Sequence, residues 1–103
     1  MTERATSKNE VSIRLTDERW VHITEEHAEL AGYRREVLET ISEPERILAG
    51  NAGELLAIRT QQDGKLVVVV YRELPADGFV ITAFLTRRAA SLNRRTQIWP
   101  SLK

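Results

Sequence analysis

The apolar run LVVVVY at residues 66–71 constrains the fold of this chain more than any other segment. Consecutive valines are stiff at χ1 and favour extended backbone. A strand that is apolar on both sides must be covered on both faces, so we place residues 65–73 at the centre of a sheet. The run is too short to cross a bilayer, which takes about 20 apolar residues, and we expect no membrane association.

Turn residues separate this strand from its neighbours. The Asp63-Gly64 pair predicts a hairpin turn before it, and the LPADG segment at residues 74–78 predicts a second turn after it. Apolar alternation marks the other extended segments. The predicted strands are residues 11–15, 54–62, 65–73 and 79–86, with a helical turn after residue 86 and a further strand around 96–99.

Two helices are predicted between the first and second of these strands. Thr16 or Asp17 is a suitable N-cap for the first, which we extend to about Leu30, before Gly32. Pro44 ends the second, because proline disfavours helical geometry in the residue before it. One face of the second helix carries the apolar side chains of Tyr33, Val37, Leu38 and Ile41.

The order β-α-α-β-β-β, with one further strand at the end, predicts an α+β fold. We expect the two N-terminal helices to pack on an antiparallel sheet. With 103 residues, one domain is the expectation. Residues 1–10 are polar and are predicted to be a flexible N-terminal tail, which leaves residues 11–103 as the single α+β domain.

The chain contains no cysteine, which excludes disulfides and thiolate metal sites. The first ten residues have no apolar core and do not resemble a signal peptide. We therefore expect a cytoplasmic protein, because a reducing compartment requires no disulfide framework.

Charge is unevenly distributed, although the net charge is zero. Residues 17–54 carry ten acids and four bases, whereas residues 78–103 carry five bases and no acid. A basic end can contact phosphate and an acidic helical region can dock on a basic partner. The alternative is that both are solvated faces without a partner.

His22 and His27 are the only histidines and both fall in the first predicted helix. On a helical wheel they lie about 140° apart, so they cannot both face one small ligand unless the helix ends near His27. His27 falls in the apolar arc, where a histidine can also be a buried core residue. The five-residue spacing lacks the i, i+4 arrangement of a helical metal pair, so we expect no metal and no cofactor.

Several segments of the chain resemble a known family. They are RLTDERWVHITEEHAEL, VLETISEPERIL, GELLAIR, LVVVVYRE and GFVITAFLTRR, which together span roughly residues 11–88. These segments are similar to small bacterial and phage-associated proteins of the barnase–EndoU–colicin–RelE-like nuclease superfamily. The family's Arg-His-Pro-Glu stretch reads Glu26-His27-Ala28-Glu29 here, so the histidine and glutamate match while the arginine and proline do not.

The resemblance implies a RelE/barnase-like fold and metal-independent RNA cleavage. In that reaction the ribose 2′-hydroxyl attacks the adjacent phosphate and leaves a 2′,3′-cyclic end. The chemistry needs a base, an acid and a cation on the phosphate. RNA is then the implied partner, and an antitoxin-like protein would be a second one if the chain is a toxin.

The candidate site residues combine the family's helix histidines with groups on the predicted strands that suit phosphate chemistry. Histidine suits proton transfer near neutral pH and arginine suits phosphate oxygens. The catalytic candidates are His27, His22, Arg59, Tyr71, Thr82 and Thr86, and the RNA-binding candidates are Arg72, Arg87 and Arg88.

Two other functions remain open at this point. One is a non-catalytic module that binds protein or nucleic acid, and the other is a homodimeric domain that buries its central strand and Trp99 against a second copy. An enzyme predicts His27 beside an arginine or threonine in a concave pocket. A binding module predicts a fully packed His27, and a dimer predicts apolar residues in the tail that bury between chains.

Overall fold

The computed structural model describes residues 1–101, and all of its strands belong to one sheet. Leu102 and Lys103, the last two residues of the predicted 11–103 domain, lie outside the described part. Lys103 is also one of the five bases of the basic end. The strands are β1 (Glu3–Thr6), β2 (Ser12–Leu15), β3 (Arg46–Ala49), β4 (Leu55–Thr60), β5 (Leu66–Glu73), β6 (Gly78–Thr86) and β7 (Gln97–Trp99).

The helices are α1 (Asp17–Glu26), a 3-10 turn (Ala28–Leu30), α2 (Arg34–Ser42) and the short α3 (Ala89–Leu92). Thr16 caps α1, because its side-chain oxygen accepts a hydrogen bond from the backbone N–H of Arg19 at 3.0 Å. The helix α2 ends two residues before Pro44, as predicted. The predicted first helix is shorter than expected, since α1 ends at Glu26 and only the 3-10 turn continues to Leu30.

The strand order across the sheet is β1-β2-β6-β5-β4-β3-β7, which places β5 in the middle, as predicted. The α+β class is confirmed, but two details are wrong. The sheet is mixed, because β2 runs parallel to β6 through the pairs Ile13–Gly78 and Arg14–Phe79. It also has seven strands rather than four or five, because β1 and β3 carry little of the alternation that marks a strand in sequence.

Residues 3–6 of the segment predicted to be a flexible tail form β1. This strand pairs antiparallel with β2, and Ala5 lies opposite Ile13 with its side chain in the core. Arg34 anchors the strand, because its Nε lies 2.6 Å from a Glu3 carboxylate oxygen and its Nη1 lies 2.8 Å from Asp17. A polar edge strand with one small buried residue gives no hydrophobic pattern to detect.

Apolar side chains cover both faces of β5. On one face Val67, Val69 and Tyr71 pack with buried residues of α1 and α2, including Ile23 and Val37. On the other face the apolar cover is thinner. That second face is formed by Leu48, Leu56, Ile58, Val68 and Leu92, with the partly buried Leu66, Val70 and Phe84 beside them.

The contact between β2 and β6 predicts a sensitive position at Gly78. A Cβ at this residue would lie 2.5 Å from Ile13 Cδ1 and 2.6 Å from the Arg72 carbonyl oxygen. We expect Gly78→Ala to lower the free energy of unfolding by about 1–3 kcal/mol, because the backbone must move to admit the methyl group.

Urea unfolding followed by circular dichroism checks this expectation. Gly32→Asn is the matched control, because a Cβ at Gly32 meets no atom within 4 Å and asparagine tolerates its positive φ. An equal loss in the two variants would contradict close packing of β2 against β6.

Candidate functional site

His27 lies where α1 ends, and not within its apolar stripe. The residue is the C-cap of the helix, with φ −132° and ψ 71°, and 33% of its side chain is exposed. Its Nδ1 lies 3.6 Å from a Glu29 carboxylate oxygen, and its ring centroid lies 6.0 Å from that of Phe84. The predicted position in the middle of the apolar arc is therefore wrong, because the helix stops one residue earlier.

The pairing of β6 explains why His27 can reach Phe84. β2 pairs with β6 only at Gly78 and Phe79, so the rest of β6 has no strand on that side. The helix α1 and the 3-10 turn after it contact this part of β6 instead. The end of α1 is thereby held against the edge of β6.

A cavity of about 280 Å³ opens near the end of α1, and His27 itself does not line it. Glu29, which contacts the imidazole, also lines this cavity, together with residues at the start of β5 and the end of β6. We call the following five residues the hairpin-end cluster, because they lie at the end of the sheet that carries the β4–β5 turn: His27, Glu29, Lys65, Thr86 and Arg87.

The two cations of the cluster share one acid outside it. Arg87 Nη1 donates to the Asp63 carbonyl oxygen at 2.9 Å, and the Asp63 carboxylate lies 4.0 Å from Arg87 and 3.9 Å from Lys65. Such exposed pairs contribute about 0–1 kcal/mol each. A phosphate could therefore replace Asp63 as the partner of either cation at little cost.

Thr82 and Thr86 lie on the same face of β6, as the alternation predicts, but they have different surroundings. Thr86 Oγ1 accepts a hydrogen bond from the backbone N–H of Arg88 at 3.0 Å and lines the cavity. Thr82 lies opposite Val70 in the sheet, and its buried Oγ1 has no hydrogen-bond partner within residues 1–101. Only Thr86 of the pair belongs to the cluster.

Tyr71 is fully buried on the helix-covered face of the sheet. Its hydroxyl has no hydrogen-bond partner in the part of the chain that is described. Burial, assisted by the negative charge of Glu73, raises the pKa of Tyr71 well above its usual value. The structure does not bring this candidate to the hairpin-end cluster.

Arg59 and His22 also lie outside the cluster. Arg59 lines a separate groove of about 550 Å³ between α2 and the β4–β5 hairpin, and it donates to the Glu43 carbonyl oxygen at 3.3 Å. The His22 side chain is 62% exposed and lies 3.7 Å from Glu25. The two histidines therefore have different environments.

The three RNA-binding candidates are divided between the two ends of the sheet. Arg87 and Arg88 follow β6, whereas Arg72 lies near the opposite end of β5 and donates to the Ala52 carbonyl oxygen at 3.0 Å. Sequence reasoning missed Lys65 and Phe84. The sequence signal that could have identified Lys65 is its position directly after the predicted Asp63-Gly64 turn.

Comparisons with known proteins give no relative for this chain. No family model matches it, and neither a curated protein nor a solved structure matches. Within residues 1–101 no group of three acidic or histidine side chains is placed to hold a metal ion. No helix in that range has the length and apolar content needed to span a membrane.

The position of Tyr71 gives a testable expectation for stability. Tyr71→Phe removes a buried hydroxyl that lacks a partner, so we expect it to raise the free energy of unfolding by about 1 kcal/mol. Thermal unfolding at neutral pH measures this change. A loss of stability would show that the hydroxyl is bonded in solution.

The same variant tests the raised pKa. In the wild type the unfolded state loses the Tyr71 proton above about pH 10 while the folded state keeps it. Tyr71 therefore lowers the free energy of unfolding by about 1.4 kcal/mol in total between pH 9 and pH 11. We expect Tyr71→Phe to remove this contribution, measured by urea unfolding between pH 9 and 11, beside Tyr33→Phe as a control for a partly exposed tyrosine.

Proposed function

We propose that this chain is a metal-independent endoribonuclease-like domain that cleaves RNA at the hairpin-end cluster. The observation that carries the proposal is that His27 lies 3.6 Å from Glu29, which lines one cavity together with Lys65, Thr86 and Arg87. An imidazole with a carboxylate beside it, and two cations at the cavity that this carboxylate lines, is a suitable set of groups for phosphate chemistry.

The proposed reaction uses one imidazole and two cations. His27 takes the proton from the ribose 2′-hydroxyl, and the 2′-oxygen forms a bond to phosphorus as the bond to the 5′-oxygen breaks. The leaving 5′-oxygen takes its proton from solvent, because the cavity is open. Glu29 stabilises the imidazolium that forms, as an adjacent carboxylate favours the charged form.

Lys65 and Arg87 are placed to bind the phosphate on which negative charge increases. The guanidinium fork matches two phosphate oxygens, and an ammonium acts as a point charge. Thr86 Oγ1 already accepts a hydrogen bond from Arg88 N–H, so its own hydrogen can be donated to a phosphate oxygen. In the proposal these three side chains bind the phosphate without a metal ion.

The proposal includes a RelE/barnase-like arrangement of the two N-terminal helices and a cytoplasmic location. An antitoxin-like protein with a basic surface is a proposed partner. Support for that partner comes from the acidic surplus of residues 17–54, most of which lie in or between α1 and α2.

One observation favours the non-catalytic alternative. The reaction benefits from an acid as well as a base, and His27 is the one histidine of the cluster. His22 and Tyr71 lie elsewhere. A module that binds RNA at Lys65 and Arg87 without cleaving it is therefore the second candidate.

A second observation favours the homodimer. β7 is an outer strand of the sheet, and its Ile98 is 44% exposed. An outer strand with an exposed apolar side chain can pair with another copy. Sedimentation of the wild type beside Ile98→Lys tests this candidate, because a dimer built on β7 would dissociate in the variant.

RNA cleavage in EDTA tests the proposed reaction. We expect the purified protein to cut a mixed-sequence single-stranded RNA and leave 2′,3′-cyclic ends. His27→Gln should reduce the rate by about 10²–10⁴-fold, the usual contribution of a general base. His22→Gln is the matched variant and should keep the rate, because His22 lies on an exposed part of α1.

The outcomes separate the candidates. Cleavage that His22→Gln abolishes and His27→Gln spares would contradict the site assignment. No cleavage by the folded wild type, together with RNA binding that Lys65→Gln and Arg87→Gln weaken, would support the binding module instead.

A further inference from the structure

A second basic cavity lies at the opposite end of the sheet from the hairpin-end cluster. It has a volume of about 420 Å³, and the residues with polar groups that line it are Asn51, Ser91, Arg94, Arg95 and Thr96. We call these five residues the distal basic pocket. No residue of this set was a candidate from the sequence.

The guanidinium groups of the pocket are not neutralised within residues 1–101. Arg95 Nη1 donates to the Ala49 carbonyl oxygen at 3.3 Å and to Asn51 Oδ1 at 3.1 Å, so it is held by neutral acceptors. Arg94 is exposed, and neither arginine forms an ion pair with a carboxylate in the described part of the chain. The positive charge of this pocket is therefore available to an anion.

Side-chain hydrogen bonds of Arg72 and Glu54 hold the loop at residues 50–53, beside the pocket, in place. Arg72 Nη2 donates to the Ala52 carbonyl oxygen at 3.0 Å, and the Glu54 carboxylate accepts from the Ala52 N–H at 2.8 Å. The backbone N–H groups of Glu54 itself and of Ala52 hold the pKa of this carboxyl below its usual range. The pocket is thus built on an ordered segment.

A groove joins the distal basic pocket to the hairpin-end cluster across the second face of the sheet. This groove, of about 250 Å³, shares Arg95 and Ser91 with the pocket and shares Thr86 with the cluster. Its floor includes Leu56, Val70 and the partly exposed ring of Phe84. Glu54 is the one acid on its lining, and the loop backbone engages that carboxylate.

We infer that the distal basic pocket is a second phosphate subsite and that the groove carries a single-stranded RNA between it and the hairpin-end cluster. This inference rests on the proposed function. The length of the groove along β5 can be taken from Leu66, which lies opposite Thr86, to Val70. These residues are four positions apart, which corresponds to roughly 13 Å along the strand. A stacked strand advances about 3.4 Å per nucleotide along its axis, so about four nucleotides would span this length of the groove.

The chemistry of the groove favours an unpaired strand over a duplex. Unpaired bases stack on aromatic rings and apolar floors, whereas a duplex presents mainly its phosphates and sugars. Phe84 lies in the floor of the groove and also contacts the His27 ring. A base on Phe84 would therefore leave its neighbouring phosphate beside His27.

Salt-dependent binding to the intact protein tests the distal subsite. The probe is a fluorescein-labelled single-stranded octanucleotide, and the readout is anisotropy over a series of salt concentrations. We expect Arg94→Gln to weaken binding about fivefold at low salt. We expect it to lower the slope of log Kd against log salt by about 0.7, the change for one phosphate contact in a single strand.

The control variant is Arg35→Gln, which removes another exposed arginine, from α2. It should leave both the affinity and the slope unchanged, because α2 packs on the other face of the sheet. Arg94→Glu should weaken binding further than Arg94→Gln.

The outcomes distinguish this inference from the proposed function. An unchanged slope in Arg94→Gln, or an equal loss in Arg35→Gln, would overturn the distal subsite even if RNA is cleaved. A lowered slope without any cleavage would support the subsite and contradict the proposed reaction. Tighter binding of a duplex of the same length, or a dimer that excludes RNA from this face, would overturn the single-stranded track.

Discussion

The burial of β5 on both of its faces is the constraint on which the rest of this structure depends. Val67 and Val69 pack under the two N-terminal helices, while Val68 packs under the thinner second layer that includes Leu92. Burial of a valine side chain contributes about 1.5–3 kcal/mol. A strand with this pattern cannot lie at an edge, so the neighbouring strands, helices and loops are arranged around it.

The candidate site lies where β6, the neighbour of β5, lacks a partner strand along most of its outer edge. β2 reaches only the first two residues of β6, and the chain fills the remaining edge with the end of α1 and the 3-10 turn. His27 is held at this edge, close to Phe84 and to Glu29, and Glu29 lines a cavity with Lys65 and Arg87. Because the second face has a thin cover, a groove remains open from this site toward Arg95.

The elements with strong local signals were predictable from the sequence. The central strand, the Asp63-Gly64 turn and the end of α2 before Pro44 follow from branching, turn chemistry and proline geometry. β1 and the parallel pairing of β2 with β6 were not predictable, because a short polar strand has no period and pairing direction depends on distant residues. Arg94 and Arg95 carried only a charge signal, which does not specify a place in the fold.

The candidate site divides in the same way. By itself the sequence determined the chemical groups that are available: two histidines, hydroxyls on one face of a strand, a basic end and no thiol. Tertiary structure alone decided which of them meet, because the helix ends one residue before His27, Tyr71 turns into the core, and Lys65 comes beside Thr86 through cross-strand register. Local rules act over a few residues, whereas the closeness of Glu29, Lys65 and Arg87 requires packing between elements that are far apart in the chain.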